Sequence, residues 1–112
     1  MNINIRKVKI VVTVPKENIT EVRNALCHSG AGIIGNYTFC STTTKSVGTF
    51  IPNNFANPAI GTNNQLNYVE EEKLEVICDI DKAKEAIKEL RKNHPYEEPA
   101  IDIIPLIDEN DL

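Results

Sequence analysis

The chain has 112 residues, 41% hydrophobic and 25% charged, with a net charge of -4, which suits one globular domain and excludes a disordered or collagen-like chain. The acidic balance provides no basic footprint for a nucleic-acid backbone, and 5% aromatic residues with no tryptophan offer little for base stacking, so no nucleic-acid partner is expected. Cys27, Cys40 and Cys78 form no Cys-x-x-Cys pair and read as reduced thiols of a cytoplasmic protein; no stretch reads as a signal peptide or membrane span, so no membrane contact is expected.

In chain order, residues 7–14 are a β-branched strand with Val8, Ile10, Val12 and Val14 on one face and Val11 and Thr13 on the other. A helix is expected over 18–29. Asn18 would cap it with Glu21 in a capping box, Ile19, Val22, Ala25 and Leu26 would form its apolar stripe, and Gly30 would end it. Residues 33–44 read as a second strand, followed by a long loop over about 45–67 that carries Gly48, Gly61, Pro52, Pro58 and six asparagines. A loop of that length in a small domain is usually functional or disordered. Residues 73–80 alternate as a third strand with Leu74, Val76, Cys78 and Ile80 inward. Residues 82–93 form a second helix, with Asp81 as cap, and His94-Pro95 stops it. Residues 100–107 are a fourth strand, and 108–112 an acidic tail.

The order β-α-β-β-α-β over a single domain, 1–112, predicts an α+β, ferredoxin-like split βαβ fold. Both helices would lie on one face of a four-stranded antiparallel sheet, with strands one and three central. Val11 and Thr13, with Ile104 and Leu106 or alternatively Ile101 and Ile103, would leave the other face apolar as well, and the expected cover is a second copy of the chain.

Four motifs bear on chemistry. Gly30-Ala31-Gly32-Ile33-Ile34-Gly35 spells G-x-G-x-x-G, but here a helix precedes and a strand follows, the reverse of what a dinucleotide pyrophosphate needs. His28 adjoins Cys27, yet neighbouring helical positions do not face each other, so no Cys-His dyad is expected. His94 at a helix end suits the helix dipole, and a metal site from His94, Cys40 and Glu97 has no characteristic ligand spacing. Glu97-Glu98 lie in a turn, where adjacent carboxylates rarely hold the unequal environments that acid-base catalysis requires. Glu70-Glu71-Glu72 reads as a solvated strand edge.

Two segments, Gly30-Ala31-Gly32-Ile33-Ile34-Gly35-Asn36-Tyr37-Thr38-Phe39-Cys40-Ser41 and His94-Pro95-Tyr96-Glu97-Glu98-Pro99-Ala100-Ile101-Asp102, resemble the PII-like, CutA-like domain inserted in YqfO-type proteins. These are the family of dinuclear-metal hydrolases named after an NGG-interacting factor. Gly48-Thr49-Phe50-Ile51-Pro52 and Ala56-Asn57-Pro58-Ala59-Ile60-Gly61 resemble that domain's loop, although Asn53, Asn54 and Phe55 stand where a glycine-bearing segment is common. The resemblance covers about residues 7–107 and implies a stand-alone domain that assembles as a homotrimer with sheets facing inward. It also implies that the family's hydrolase domain, with its histidine-rich dimetal site, is absent.

Three functions compete: a non-enzymatic oligomeric sensor or regulatory module binding a small ligand, a metal ion or a protein partner; a CutA-type divalent metal-binding protein; and a small enzyme using Cys40 or the Glu97/Glu98 pair. The expected site is a cleft between subunits, because the sheet edges of one subunit lie apart. It would be formed by Asn36, Tyr37 and Cys40, the loop residues Gly48, Thr49, Phe50, Asn57 and Gly61, and the turn His94, Tyr96, Glu97 and Glu98. The same residues can instead simply brace the loop and the interface.

Overall fold

The computed structural model describes residues 3–112. Strand β1 (Lys7–Pro15) leads through a 3-10 turn (Lys16–Asn18) into helix α1 (Ile19–His28). Strands β2 (Thr42–Phe50) and β3 (Asn67–Asp79) form a hairpin, followed by helix α2 (Ile80–Asn93), strand β4 (Ile101–Leu106) and a short 3-10 helix at Glu109–Asp111. The sheet order is β2-β3-β1-β4 and every neighbouring pair is antiparallel, so β1 and β3 are central, as the ferredoxin-like reading requires. No helix among the described residues is long and apolar enough to cross a membrane.

The period-two pattern of β1 puts Val8, Ile10, Val12 and Val14 in the core with Leu74, Val76 and Cys78 of β3. The helices contribute the residues their 3.6-residue spacing aligns, Val22 and Leu26 from α1 and Ala83, Ala86 and Leu90 from α2. Gly30, at φ 101°, ends α1 in the left-handed region, a conformation that glycine adopts without a Cβ clash. Neither helix uses the expected cap: Asn18 makes no side-chain cap bond, and the residue before α2 is Asp79, not Asp81. Ile80, expected to point inward from a strand, is the exposed first residue of α2.

The second strand starts later than expected. Gly32 donates to the Ile77 carbonyl at 2.7 Å and so touches the edge of β3. The chain then leaves the sheet in a tight excursion: Ile34 and Tyr37 exchange backbone bonds at 2.9 Å around Gly35, and Cys40 closes it by donating to Gly32 at 2.8 Å. Tyr37 is 74% exposed there. Its alternating Ile, Tyr and Phe carry the strand signature, but the positive φ values of Gly35 and Phe39 reverse the chain before a ladder can form.

The expected loop 45–67 contracts to 51–66. Thr42–Phe50 pairs with Asn67–Glu75 along its whole length, in a polar ribbon that extends past the helices and therefore shows no apolar alternation. The register decides the face opposite the helices. Ile104 and Leu106 stand there, across β1 from Lys9 and Lys7, whereas Ile101 packs against the core. Val11 is buried and Ile104 exposed on that face, but Lys9, Lys73, Glu75 and Asp102 share it, so it is more polar than the sequence suggested.

Candidate ligand cavity

Strand β4 begins opposite Val12, so the last residues of β1 run on without a neighbour on that side. The turn between α2 and β4 fills the place. Pro95 stops the helix, and the His94 ring turns in until it is 7% exposed. Its Nε2 donates to the Thr13 carbonyl at 2.8 Å, and its Nδ1 accepts the Tyr96 amide at 3.1 Å. One nitrogen donates and the other accepts, which defines the neutral Nε2-H tautomer. Burial holds His94 below the ordinary histidine value, against the opposing effects of the Thr13 carbonyl and the Glu71 charge.

So anchored, the turn folds over the face opposite the helices. Tyr96 reaches across β1, and its hydroxyl donates to Glu71 Oε2 on β3 at 2.6 Å. Burial, then that bond and the Glu71 charge, raise the Tyr96 phenol well above its ordinary range, so it remains a donor. Glu71 is not the solvated edge residue expected from the acidic run: it is 8% exposed. Gly48 makes room for it, because a Cβ on Gly48 would collide with Glu71 Oε1. From the other side, the loop is tied to the turn by the Asn57 amide, which donates to Glu97 Oε1 at 3.1 Å.

Between loop and turn lies a cavity of about 540 Å³, within the range of small-molecule sites. Phe50, Pro52, Ala56, Pro58, Ile60 and Val69 give it apolar walls, and Thr13, Ser46, Thr49, Glu71, Tyr96, Glu97 and Glu98 give it polar groups. All of these belong to one chain. The β2 edge and the turn before β4 therefore meet within a subunit, contrary to the expectation that only neighbouring subunits could join them. The reason is the length of the β2–β3 ribbon together with the fold-over of the turn.

The structure thus brings Gly48, Thr49, Phe50, Tyr96, Glu97 and Glu98 to one cavity. Asn57 ties its rim, and His94 stands behind Tyr96, the two rings 4.8 Å apart. Gly61, at φ 99°, sits against Phe50 and Asn67 in the loop. Asn36, Tyr37 and Cys40 are elsewhere. Their excursion meets β3 at Ile77, which pairs with Lys9, four residues along β1 from Thr13, or ~13 Å at the rise of a strand. That separation, and the engagement of both His94 nitrogens, removes the His94–Cys40–Glu97 metal arrangement. No group of three or more His, Cys, Asp or Glu able to hold a metal occurs among the described residues. The three cysteines are free, and burial raises the Cys27 and Cys78 thiols, which disfavours their reactive thiolates. The residue that sequence reasoning missed is Glu71; its one signal is the inward parity it shares with Val69 across from Gly48.

No family model matches the chain. Over 103 residues, 92% of the chain, it is 44% identical to a GTP cyclohydrolase 1 type 2 homolog of Halalkalibacterium halodurans, of which it covers 28%. To the homolog of Bacillus subtilis it is 42% identical over 98 residues, 88% of the chain and 26% of that protein. Among solved structures, a Bacillus cereus protein related to NIF3 superposes with a TM-score of 0.77 at 40% identity, over 90% of this chain and 26% of that one. The divalent cation tolerance protein CutA of Archaeoglobus fulgidus superposes with a TM-score of 0.66 at 19% identity, over 89% of this chain and 83% of its own. The chain spans about a quarter of the length of the curated relatives it matches. It resembles a domain-sized segment of the NIF3-related, YqfO-type proteins, and that segment has the CutA-like, ferredoxin-like fold.

Proposed function

We propose that this domain, similar to a segment of the NIF3-related proteins and built on the CutA-like fold, is a non-enzymatic, self-associating regulatory module that binds a small ligand. The observation that carries the reading is the cavity between loop and turn, with one buried carboxylate among apolar walls. That composition is typical of a binding site, in which a few polar groups orient a ligand held mainly by apolar contact. The buried imidazole is engaged in bracing the turn, and the raised Tyr96 phenol beside Glu71 stays protonated as a donor, which favours binding over catalysis. The cyclohydrolase name belongs to relatives about four times as long.

A homotrimer is the favoured assembly, in keeping with the exposed Ile104 beside buried Val11 on the face opposite the helices. A divalent metal-binding role of the CutA kind is supported by the shared fold alone, and the engaged His94 gives it no ready ligand. The test is a thermal-shift screen of the chain against amines, organic acids, nucleotides and divalent metals. A bound ligand at 100 times its Kd stabilises the fold by about 2.7 kcal/mol. Failure of every class to shift the transition overturns the reading, as does turnover that follows the protein and is lost on mutating Cys40 or Glu97.

A further inference from the structure

We propose that the cavity selects organic cations, meaning a primary ammonium on a small apolar body; this rests on the reading of the cavity as a ligand site. Among the described residues, Glu71 is the only acidic group buried in it, at 8% exposure. Its Oε2 is taken by the Tyr96 hydroxyl, whereas its Oε1 makes no hydrogen bond to any described residue. That oxygen is not closed off from the cavity, since Asn63 Oδ1 alone is a fully buried side-chain acceptor without a partner among the described residues. An unfilled acceptor site on a carboxylate that is largely buried calls for a donor, and a charged donor satisfies it best.

The rest of the lining agrees. Glu97 and Glu98 are the other charged residues there, and among the described residues no Lys, Arg or His lines the cavity. An anion would meet three carboxylates with nothing to balance it, so phosphates and carboxylic acids are disfavoured. A bare divalent ion is not favoured, because among the described residues these carboxylates do not converge into a group able to hold a metal, and calcium takes six to eight oxygens. An ammonium group instead places one N-H on Oε1 and has the Thr13 and Ser46 side chains on the same face for the others. Its carbon body then covers Phe50, Val69 and Ile60. Gly48 is part of the specificity, because its missing Cβ leaves the carboxylate its position.

The experiment is a titration of the folded chain with butylammonium, benzylammonium, benzyl alcohol, phenylacetate and manganese(II) alone, read by amide chemical shifts at Gly48, Glu71 and Tyr96. The ammonium probes should move these amides, and the chain should bind benzylammonium roughly tenfold or more tightly than benzyl alcohol, with phenylacetate inert. Glu71→Gln, which keeps the shape and an acceptor for Tyr96, should abolish that preference but leave the alcohol bound. Gly48→Ala should weaken the ammonium probes while keeping every charge, a readout independent of Glu71→Gln. Equal or tighter binding of benzyl alcohol or phenylacetate would overturn the cation assignment and leave the cavity a ligand site. Manganese bound through Glu71 with the ammonium probes inert would overturn it in favour of a metal. If no probe moves these amides, both the cation assignment and the ligand-site reading fall.

Discussion

The His94 ring bridges the Thr13 carbonyl, 2.8 Å from Nε2, and the Tyr96 amide, 3.1 Å from Nδ1, and so clamps the turn before β4 onto the end of β1. The arrangement requires a neutral ring, since a protonated Nδ1 would point its hydrogen at the amide hydrogen of Tyr96. The folded-state value lies below the ordinary 6.5, so the unfolded chain takes up the proton more readily. Stability from this group is therefore complete above about pH 6.5 and falls as the pH drops from there through the lower folded value. Urea titrations at pH 7, 6 and 5 should show a declining midpoint. His94→Gln, which does not titrate, should lessen that decline, and an unchanged profile would contradict the clamp.

Removing the hydroxyl that serves Glu71 should be costly because the acceptor stays buried. Tyr96→Phe is expected to destabilise the fold by about 1–3 kcal/mol, measured by denaturant unfolding. The double variant Tyr96→Phe, Glu71→Leu should recover part of the loss, since it removes the stranded acceptor together with its donor. A double variant less stable than the sum of the two single changes would contradict the pairing.

Two glycines in one excursion should respond differently to alanine. At Gly32, φ is 77° and an added Cβ would lie 3.0 Å from both Cys27 Sγ and the Cys40 carbonyl oxygen. At Gly35, φ is 57° and the space around the Cβ is empty. Gly35→Ala carries only the left-handed penalty of about 1–2 kcal/mol. Gly32→Ala adds a steric clash and should lose more, seen as the larger drop in melting temperature.

Self-association should depend on the face opposite the helices. Light scattering after size exclusion should give a multiple of 12.5 kDa, with three copies expected. Ile104→Lys should shift the population toward monomer at micromolar concentration without altering the circular dichroism spectrum. Leu90→Ala, by contrast, opens a void between helices and sheet and should cost about 2–5 kcal/mol in any assembly state. A wild-type chain that is monomeric throughout would refute the oligomer.

The element order, both helices and the core were legible in local sequence patterns. Alternation in 7–14 and 73–80 and the 3.6-residue stripes in α1 and α2 are local signals, and the residues they select, among them Ile10, Leu26, Leu74 and Leu90, are the ones buried. The sequence also pointed to the turn His94–Glu98 and to Gly48, which reads there as part of a long loop. Which of these residues meet depends on long-range contacts that no local pattern encodes. Residues 33–41 have strand-forming side chains, yet two positive-φ positions turn them out of the sheet. Thr42–Phe50 has no apolar period because its ribbon extends past the helices. Glu71 reads as one of three solvated glutamates, and its burial depends on Tyr96, 25 residues further on, folding over the sheet once His94 has found a carbonyl left free at the end of β1. Register and chain reversal are long-range properties, and a buried carboxylate is set by the partners they bring to it.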